Sequence, residues 1–579
     1  MKIDSLSQAR HFVHNEKQFH LGFLVTEQSN PLTARVDEDF RASTAAGVKT
    51  LQRPDRDVLS MARHVLAGRE FAKLVDTGEK ALRKGGRIIF SGCGATGRLS
   101  ILLEAMWRDG VQKLKDNSGI SDDFISRYGN SVSSIMTGGD YALVRSVEFF
   151  EDYQAFGRRQ VEEMNISGND ILIAITEGGE TSSVLGTVDE AVRRGSPVFL
   201  LFNNPADLLC RRLERSRQAI TNSGVCVLDL HCGPMAIAGS TRMQATTSEQ
   251  LIAGAALENI FHRLLKTDEC LKDTPDLCDF ATSFADLLDQ LGSWETIKSI
   301  AGYIDFEAGI YRQEGKVTYF ADEFMLDIFT DTTERSPTFM LPPFRKEDDL
   351  HSPQSWAFVK NPLYSTCDTW FRCLGGRLPR CLEWTDDDYR KMGAEGSIVD
   401  NPPAIGFKEI MKLAVGNEPA PCRVETTANA AVLVKFGNEN TMLKTAFAQA
   451  AESFKEKVTL IIGSDKPDTQ SHIIPLSTIK TPLQLMEHMA MKLILNTIST
   501  GTMVCLGRVT GNWMSWVDLS NKKLIDRGTR LLVEICGLEY EDACIKLFEA
   551  MEDIKSMPQS TRPSAVQYAI RKIRHHINN

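Results

Sequence analysis

Short apolar runs that alternate with helical stretches organise this chain. From residue 87 onward the runs are RIIFSG, SSIMTGG, DILIAIT, SPVFLLFN and VCVLDL, and the helical stretches between them include LSILLEAMWRDG, YALVRSVEFFEDYQAFGRRQVEEM and SSVLGTVDEAVRRG. Strands this apolar are typical of parallel sheets that helices cover on both faces. The alternation therefore predicts a doubly wound α/β domain over residues 51–265, which a segment of residues 1–50 precedes.

A second alternation follows residue 276 and continues to about residue 475. Its strand candidates are KVTYFADEF, SWAFVK, AAVLVKFG and KVTLIIGSD, and the first of them leads into ADEFMLDIF instead of a glycine-rich turn. We therefore predict a second parallel-sheet domain over residues 266–481, a degenerate copy without a working site. Helical patterns then fill residues 482–579.

Composition excludes several classes of function. The chain has 579 residues and a formal net charge of −10, so it lacks the basic surface of a nucleic-acid partner. No apolar run approaches the roughly 20 residues that span a bilayer, and the polar start lacks the apolar centre of a signal peptide. The 13 cysteines never form a Cys-x-x-Cys pair. These features predict a cytoplasmic protein with free thiols, no metal site and no cofactor.

The loop GCGATG, residues 92–97, follows the first predicted strand and opens a helix. Gly92, Gly94 and Gly97 let backbone amides approach an anion, the helix start adds partial positive charge, and the Thr96 hydroxyl can donate a hydrogen bond. The alternative to an anion site is a tight strand-to-helix turn whose glycines serve only to allow close packing. Dinucleotide binding would need an acidic strand end about 20 residues on. Asp116 lies instead in a polar stretch, which disfavours a nicotinamide cofactor.

A second glycine- and hydroxyl-rich turn follows the strand DILIAIT. Parallel strands end at one edge of a sheet, so its hydroxyls and amides can converge with the first loop on one phosphate. An ordinary helix cap is the alternative. The candidate residues are Thr176, Gly178, Gly179, Thr181, Ser182 and Ser183. A third turn, GPMAIAGSTRMQATT, carries Arg242, which is either an anion partner or a helix-surface charge.

Several motifs in order resemble one protein family. LVTEQSNPLT, GCGATGRLS, GPMAIAGSTRM and LILNTISTGTMVCLGRVTGNWM resemble signatures of the sugar isomerase (SIS) domain proteins. Within that family the similarity is to the branch of N-acetylmuramic acid 6-phosphate etherase and the glucokinase regulatory protein, over most of residues 20–265 and 483–540. The resemblance implies two flavodoxin-like SIS domains plus a C-terminal helical region, a layout closer to the regulatory protein than to the single-domain etherase.

The resemblance also implies a sugar-phosphate ligand and site residues. The family's phosphate loops match Gly94, Ala95, Thr96, Thr176, Gly178, Glu180 and Thr181. Ala95 and Gly178 replace positions where relatives often place hydroxyls, which moves the donors to Ser182 and Ser183. Lys492 matches a lysine that touches the sugar in the regulatory protein; without the resemblance it reads as a solvated helix lysine.

Etherase chemistry needs two carboxyl groups, one to remove a proton and one to protonate the leaving oxygen. The resemblance matches one to Glu148, whereas Met106 stands where relatives carry the other, and Met235 and Gln244 are further departures. We therefore expect a phosphosugar-binding regulator, with a sugar kinase as candidate partner. An etherase or sugar-phosphate isomerase that uses Glu148 with Glu180 or Glu104 is the alternative. Homo-oligomers are common in the family, and self-association stays open.

Overall fold

The computed structural model describes residues 4–118, 120–147, 149–267, 276–437, 440–463, 471–519, 521–557 and 562–577. Three helices form the N-terminal segment: α1 (Ser5–Asn15), α2 (Val36–Ala42) and α3 (Thr44–Leu51). Between α1 and α2 the LVTEQSNPLT motif follows an irregular course. Thr26, Glu27, Asn30 and Thr33 are buried there.

The first α/β unit follows. Its elements are α4 (Asp55–Leu66), α5 (Arg69–Arg83), β1 (Ile88–Gly92), α6 (Gly94–Ser118), α7 (Asp122–Tyr128), β2 (Val132–Met136), α8 (Gln154–Glu163), β3 (Ile171–Ile175), α9 (Ser182–Arg193), β4 (Val198–Phe202), α10 (Ala206–Arg212), α11 (Glu214–Ile220), β5 (Val225–Asp229) and α12 (Gln244–Leu265). The five strands pair in parallel in the order β2-β1-β3-β4-β5. Strands β1 to β4 are buried along their whole length, as the apolar runs predict.

The second unit repeats this plan. Its elements are α13 (Phe280–Leu291), α14 (Trp294–Arg312), β6 (Lys316–Phe320), α15 (Met325–Phe339), β7 (Ala357–Lys360), α16 (Thr366–Cys373), α17 (Asp386–Lys391), α18 (Gly396–Asp400), α19 (Phe407–Ile410), α20 (Pro421–Val424), β8 (Asn429–Phe436), α21 (Thr441–Ala450), β9 (Glu456–Ile462) and β10 (Ser471–Ile474). Its parallel sheet has the order β10-β9-β8-β6-β7, so β6 corresponds to β1 and β8 to β3. The predicted fold class is thus confirmed, and β10 is a strand that the apolar runs did not indicate.

Four helices complete the chain: α22 (Leu485–Cys505), α23 (Lys522–Cys536), α24 (Tyr540–Lys555) and α25 (Ala565–Ile577). Helix α22 is buried over most of its length and packs against α12, α14 and α15, so it joins the two units. Helices α23 to α25 form their own apolar cluster with Val517. The C-terminal helical region therefore has two parts: α22 lies between the two units, and α23 to α25 form a separate helical cluster.

The helix predicted over YALVRSVEFFEDYQAFGRRQVEEM is wrong in its first half. Short 3-10 turns cover Asp140–Leu143 and Phe150–Asp152, and α8 begins only at Gln154. Tertiary contacts override the local pattern here, because Phe150 stacks on Trp384 of the second unit and the Asp140 amide donates to the Arg380 carbonyl. Phe149 takes a left-handed conformation, with φ of 68°.

Candidate functional site

The first glycine loop lies at the carboxyl end of β1. Gly94 opens α6 with φ of 56°, and the Thr96 hydroxyl closes the turn by donating to the Cys93 carbonyl at 2.8 Å. The Cys93 amide donates back to the Thr96 hydroxyl oxygen at 3.1 Å. The loop is therefore preformed, and it directs the first amides of α6 toward the edge of the sheet, where an anion would bind.

Gly92 is the residue on which this turn depends. A Cβ atom at Gly92 would lie 2.4 Å from the backbone of Thr96, so the loop would have to shift. We expect Gly92→Ala to weaken sugar-phosphate binding at least tenfold and to lower stability by about 1–3 kcal/mol, as overpacking does. Calorimetric titration and thermal denaturation measure the two effects. Gly168→Ala, where the added Cβ makes only an ordinary contact at 3.4 Å, should leave binding unchanged.

The second glycine loop lies at the carboxyl end of β3, directly beside the first, because β1 and β3 pair in parallel. The Thr176 hydroxyl donates to Thr181 at 3.1 Å, and Gly179 has φ of 72°. Thr181 and Ser182 are half-buried at the start of α9, so their hydroxyls stay accessible. The Ser183 hydroxyl is buried and bonds to the Thr137 hydroxyl, directly after β2, at 2.9 Å.

Glu180 is an ion-paired carboxylate. Arg215 holds one of its oxygens, and Lys523 from α23 lies 3.4 Å from the other. Burial opposes ionisation, yet the charges of Lys523 and Arg215 hold the pKa of Glu180 below its ordinary value. A carboxylate kept ionised in this way is poorly suited to donate a proton, which disfavours Glu180 as the second acid of an enzyme.

Beside the first loop lies a cavity of about 20 Å³, enough for one or two water molecules. Its walls come from α6, α12, α15 and α22, and thus from both units and the C-terminal helices. They are formed by Ala95, Leu99, Leu102, Arg242, Thr246, Gln250, Asp327, Thr330, Asp331, Glu334, Lys492 and Asn496. Four buried wall atoms have no hydrogen-bond partner in the described residues: Arg242 Nε, Gln250 Nε2, Asp327 Oδ1 and Thr330 Oγ1. Such a cavity calls for a polar occupant.

Arg242 is buried and its guanidinium reaches across to the second unit. It donates to Asp331 at 3.0 Å and to Ser499 and Thr500 of α22 at 3.0 and 2.8 Å. Asp331 also accepts from Arg335, and the two arginines hold the pKa of Asp331 below its ordinary value although burial opposes this. The sequence left two interpretations of Arg242, an anion partner or a helix-surface charge. The second does not fit, because the side chain is buried.

Lys492 is likewise buried, not solvated. Its ammonium donates to the Arg242 carbonyl at 2.8 Å, Thr247 at 2.9 Å and Asn496 at 3.0 Å. Burial, followed by the nearby Arg242 charge, lowers the pKa of Lys492 to about 7. Lys492 lines the cavity, and these hydrogen bonds hold its ammonium against the Arg242 carbonyl, α12 and its own helix α22.

The second unit supplies carboxylates that sequence reasoning missed. Asp327, Asp331 and Glu334 lie on one face of α15 at spacings of four and three, and all three line the cavity. Glu334 accepts from Arg98 of α6, and Asp327 lies 2.8 Å from Nδ1 of His488. The spacing of the three acidic residues in MLDIFTDTTERSP is the sequence pattern that could have predicted an acidic face on this helix. The second unit therefore contributes part of the wall of the cavity beside the first unit's loop.

The two positions considered for a second acid on α6 both lie away from the cavity. Met106 is packed in the core with 2% of its surface exposed. Glu104 is fully buried and accepts from Arg108 at 3.0 Å, Arg377 at 2.9 Å and Ser134 at 2.7 Å, with Arg380 as a further partner. Glu104 is a structural anchor for the second unit. Glu148 lies outside the described residues.

The N-terminal motif lies close to the second loop without entering the cavity. Asn204 donates to the Thr26 hydroxyl at 3.1 Å and to the Gly178 carbonyl at 3.2 Å. Glu27 pairs with Arg527 and Arg530 of α23. The motif therefore connects the second loop to the C-terminal helices.

Across the described ranges, no cluster of potential metal ligands occurs and no helix is long and apolar enough to cross a membrane. The cysteines placed there are free. The predicted absence of a cofactor stays a prediction.

Comparison with known proteins gives a family. The family model of the glucokinase regulatory protein N-terminal SIS domain matches residues 70–192. N-acetylmuramic acid 6-phosphate etherase 1 of Bacillus licheniformis is 34% identical over 233 residues, which cover 40% of this chain and 67% of the relative. The etherase of Yersinia pestis is 29% identical over 232 residues, 40% of this chain and 68% of the relative. A tagatose-6-phosphate ketose/aldose isomerase structure from Escherichia coli aligns with 80% of this chain and 94% of that chain at 11% identity and a TM-score of 0.40. The chain belongs to the phosphosugar-binding SIS domain family, in the branch of N-acetylmuramic acid 6-phosphate etherase and the glucokinase regulatory protein.

Proposed function

We propose that this protein is a cytoplasmic sugar-phosphate sensor that resembles the glucokinase regulatory protein and acts on a sugar kinase. One observation carries the proposal: the cavity beside Ala95 is walled by the first unit, the second unit and α22 together. A ligand between the two loops and this cavity would bear on all three parts at once. Its occupancy would thereby alter surfaces far from the site, as a sensor requires.

The pairing of the site's carboxylates also supports a binder. Glu180 and Glu334 are each held by arginine, and Met106 offers no acid/base group. The loss of one of two acid/base groups costs on the order of 10²–10⁴ in rate. The phosphate of the ligand is proposed to contact Gly94, Thr96, Thr176, Gly178, Gly179, Thr181 and Ser182, with Arg242 and Lys492 as positioning groups on the sugar side.

An etherase is the second candidate, because Glu334 places a carboxylate in the cavity from the opposite unit. Glu148 would then remove the proton and Glu334 would serve the departing oxygen. Glu334 accepts a hydrogen bond from Arg98 in an ion pair. This pairing favours the ionised carboxylate and makes Glu334 a weak proton donor. The sensor is therefore the better supported function.

The test combines two readouts on one sample. The purified protein is incubated with N-acetylmuramic acid 6-phosphate or fructose 6-phosphate, and thermal denaturation and D-lactate release are both recorded. A sensor should melt a few degrees higher at about 100-fold Kd of ligand and release no lactate. Rapid lactate release that Glu148→Gln abolishes would overturn the sensor and establish the etherase. A sugar kinase assayed with the protein, with and without ligand, then tests the partner.

A further inference from the structure

Glu177 occupies an unusual place in the second loop. It lies between Thr176 and Gly178, two of the residues proposed to frame the phosphate, and its carbonyl accepts from the Asn203 amide at 3.0 Å. That bond fixes the backbone of Glu177 to the end of β4. The residue is half-buried, two positions after the last residue of β3.

Charged groups from every adjoining element act on this carboxylate. Burial is the main cause that raises the pKa of Glu177, to about 7. A hydrogen bond from its own backbone amide and the charge of Lys523 of α23 lower it, and Glu334 of α15 and Glu151 of the 3-10 turn raise it. In turn, burial together with Glu151 and Glu177 raises the pKa of the Cys93 thiol beside the first loop. Burial together with Glu177 also raises the pKa of Glu249 of α12. Carboxylates thus outnumber cations around Glu177.

Three other carboxylates near the loops have partners. Glu180 pairs with Arg215 and Lys523, Glu334 with Arg98, and Glu249 accepts from Asn203 at 2.9 Å. Glu177 forms no ion pair with any residue in the described parts of the chain. Lys523, the cation whose charge acts on Glu177, also acts on Glu180, Glu151 and Glu27. Glu151 and Asp152 likewise form no ion pair with any described residue, but they lie on the 3-10 turn, whereas Glu177 stands in the second loop itself. Glu177 is therefore the unpaired carboxylate that an anion held by this loop would meet.

A sugar phosphate carries a charge of about −1.5 to −2 at neutral pH. Next to an ionised, unpaired carboxylate in a half-buried site, that charge is repelled, whereas a protonated carboxyl can donate a hydrogen bond to it. We propose that Glu177 takes up a proton when a sugar phosphate binds, so that this residue couples ligand affinity to pH. The inference rests on the proposed function, namely that the two loops hold the phosphate.

Calorimetric titration with fructose 6-phosphate tests the coupling. Wild-type affinity should fall about tenfold between pH 7 and pH 8.5, because one bound proton changes the binding constant by up to tenfold per pH unit. Titrations at pH 7.5 in two buffers of different ionisation enthalpy should count between half a proton and one proton taken up. Glu177→Gln should take up none and should bind more tightly than wild type at pH 8.5. Glu323→Gln, an exposed glutamate at the corresponding end of β6, should behave as wild type.

Two other titrations could produce a similar slope, and the variants separate them. Lys492 also titrates near pH 7 and the phosphate near pH 6. If Glu177→Gln keeps the wild-type slope and proton uptake, the inference is overturned and Lys492 or the ligand is responsible. Glucose 6-sulfate, which does not titrate in this range, should keep a slope that depends on Glu177. Binding without any pH dependence would refute only the coupling, whereas no binding of any hexose phosphate between pH 6 and pH 8.5 would refute the proposed function as well.

Discussion

Glu104→Ala is expected to lower the free energy of unfolding by about 3–5 kcal/mol, as removal of one partner from a buried ion cluster does. Glu104 has 0% of its surface exposed and accepts from three arginines and Ser134. Without it, Arg108, Arg377 and Arg380 would be left crowded together, with only Asp140 still pairing with Arg377. Because Arg377 and Arg380 belong to the second unit, its attachment to the first unit should loosen too.

Urea denaturation followed by tryptophan fluorescence measures this loss. Glu214→Ala is the matched control, since Glu214 forms only exposed contacts, an ion pair with Arg217 and a hydrogen bond from Gln218, and its removal should cause no measurable change. A Glu104→Ala protein that is as stable as wild type, yet has lost an enzymatic activity, would contradict the structural role. Glu104 would then again be a candidate for the second acid/base group of an enzyme.

Asp331→Ala should be about as damaging, again by about 3–5 kcal/mol. Asp331 accepts from Arg242 of the first unit, Arg335 of its own helix and Ser499 of α22, all buried. Its loss leaves Arg242 without a counter-charge at the wall of the cavity, whereas Arg335 keeps Glu307. We therefore expect sugar-phosphate affinity to change along with stability.

The conservative variant separates charge from geometry. Asp331→Asn keeps oxygen and nitrogen atoms in place but removes the charge, so it should lose less stability than alanine while still disturbing Arg242. Asp289→Ala removes an exposed partner of Arg56 and should match wild type in both stability and affinity. If Asp331→Ala denatured at the wild-type urea concentration, the ion network would not be what joins the two units at the site.

The strands show which structure follows from local sequence. RIIFSG and DILIAIT are buried on both faces and lie side by side as β1 and β3, so the apolar runs and the glycine loops after them were sufficient to predict where the loops meet. The same reasoning missed β10, whose segment SHII is short and half polar. It also predicted a helix over residues 141–153 that contacts with the second unit replace by turns.

The surroundings of the site could not be predicted in the same way. Arg242 and Lys492 stand in motifs that the sequence analysis identified, but their burial depends on α15 and α22, which are remote along the chain. Glu334 reaches the cavity only because the second unit packs its α15 against α6. Glu177 has no ion pair in the described residues, and this depends on which cations pair with its neighbours Glu180 and Glu334. Such features arise from tertiary packing, to which no local pattern corresponds.

Binding of a sugar phosphate at the two loops is the claim from which the proposed sensor and the proton coupling both follow. Calorimetric titration of the purified protein with fructose 6-phosphate, and in parallel with fructose, tests it without assuming any activity. We expect one site per chain for the phosphate ester, no measurable heat for fructose, and loss of the site in Gly92→Ala. Equal binding of fructose, or full binding by Gly92→Ala, would contradict a phosphate held at these loops.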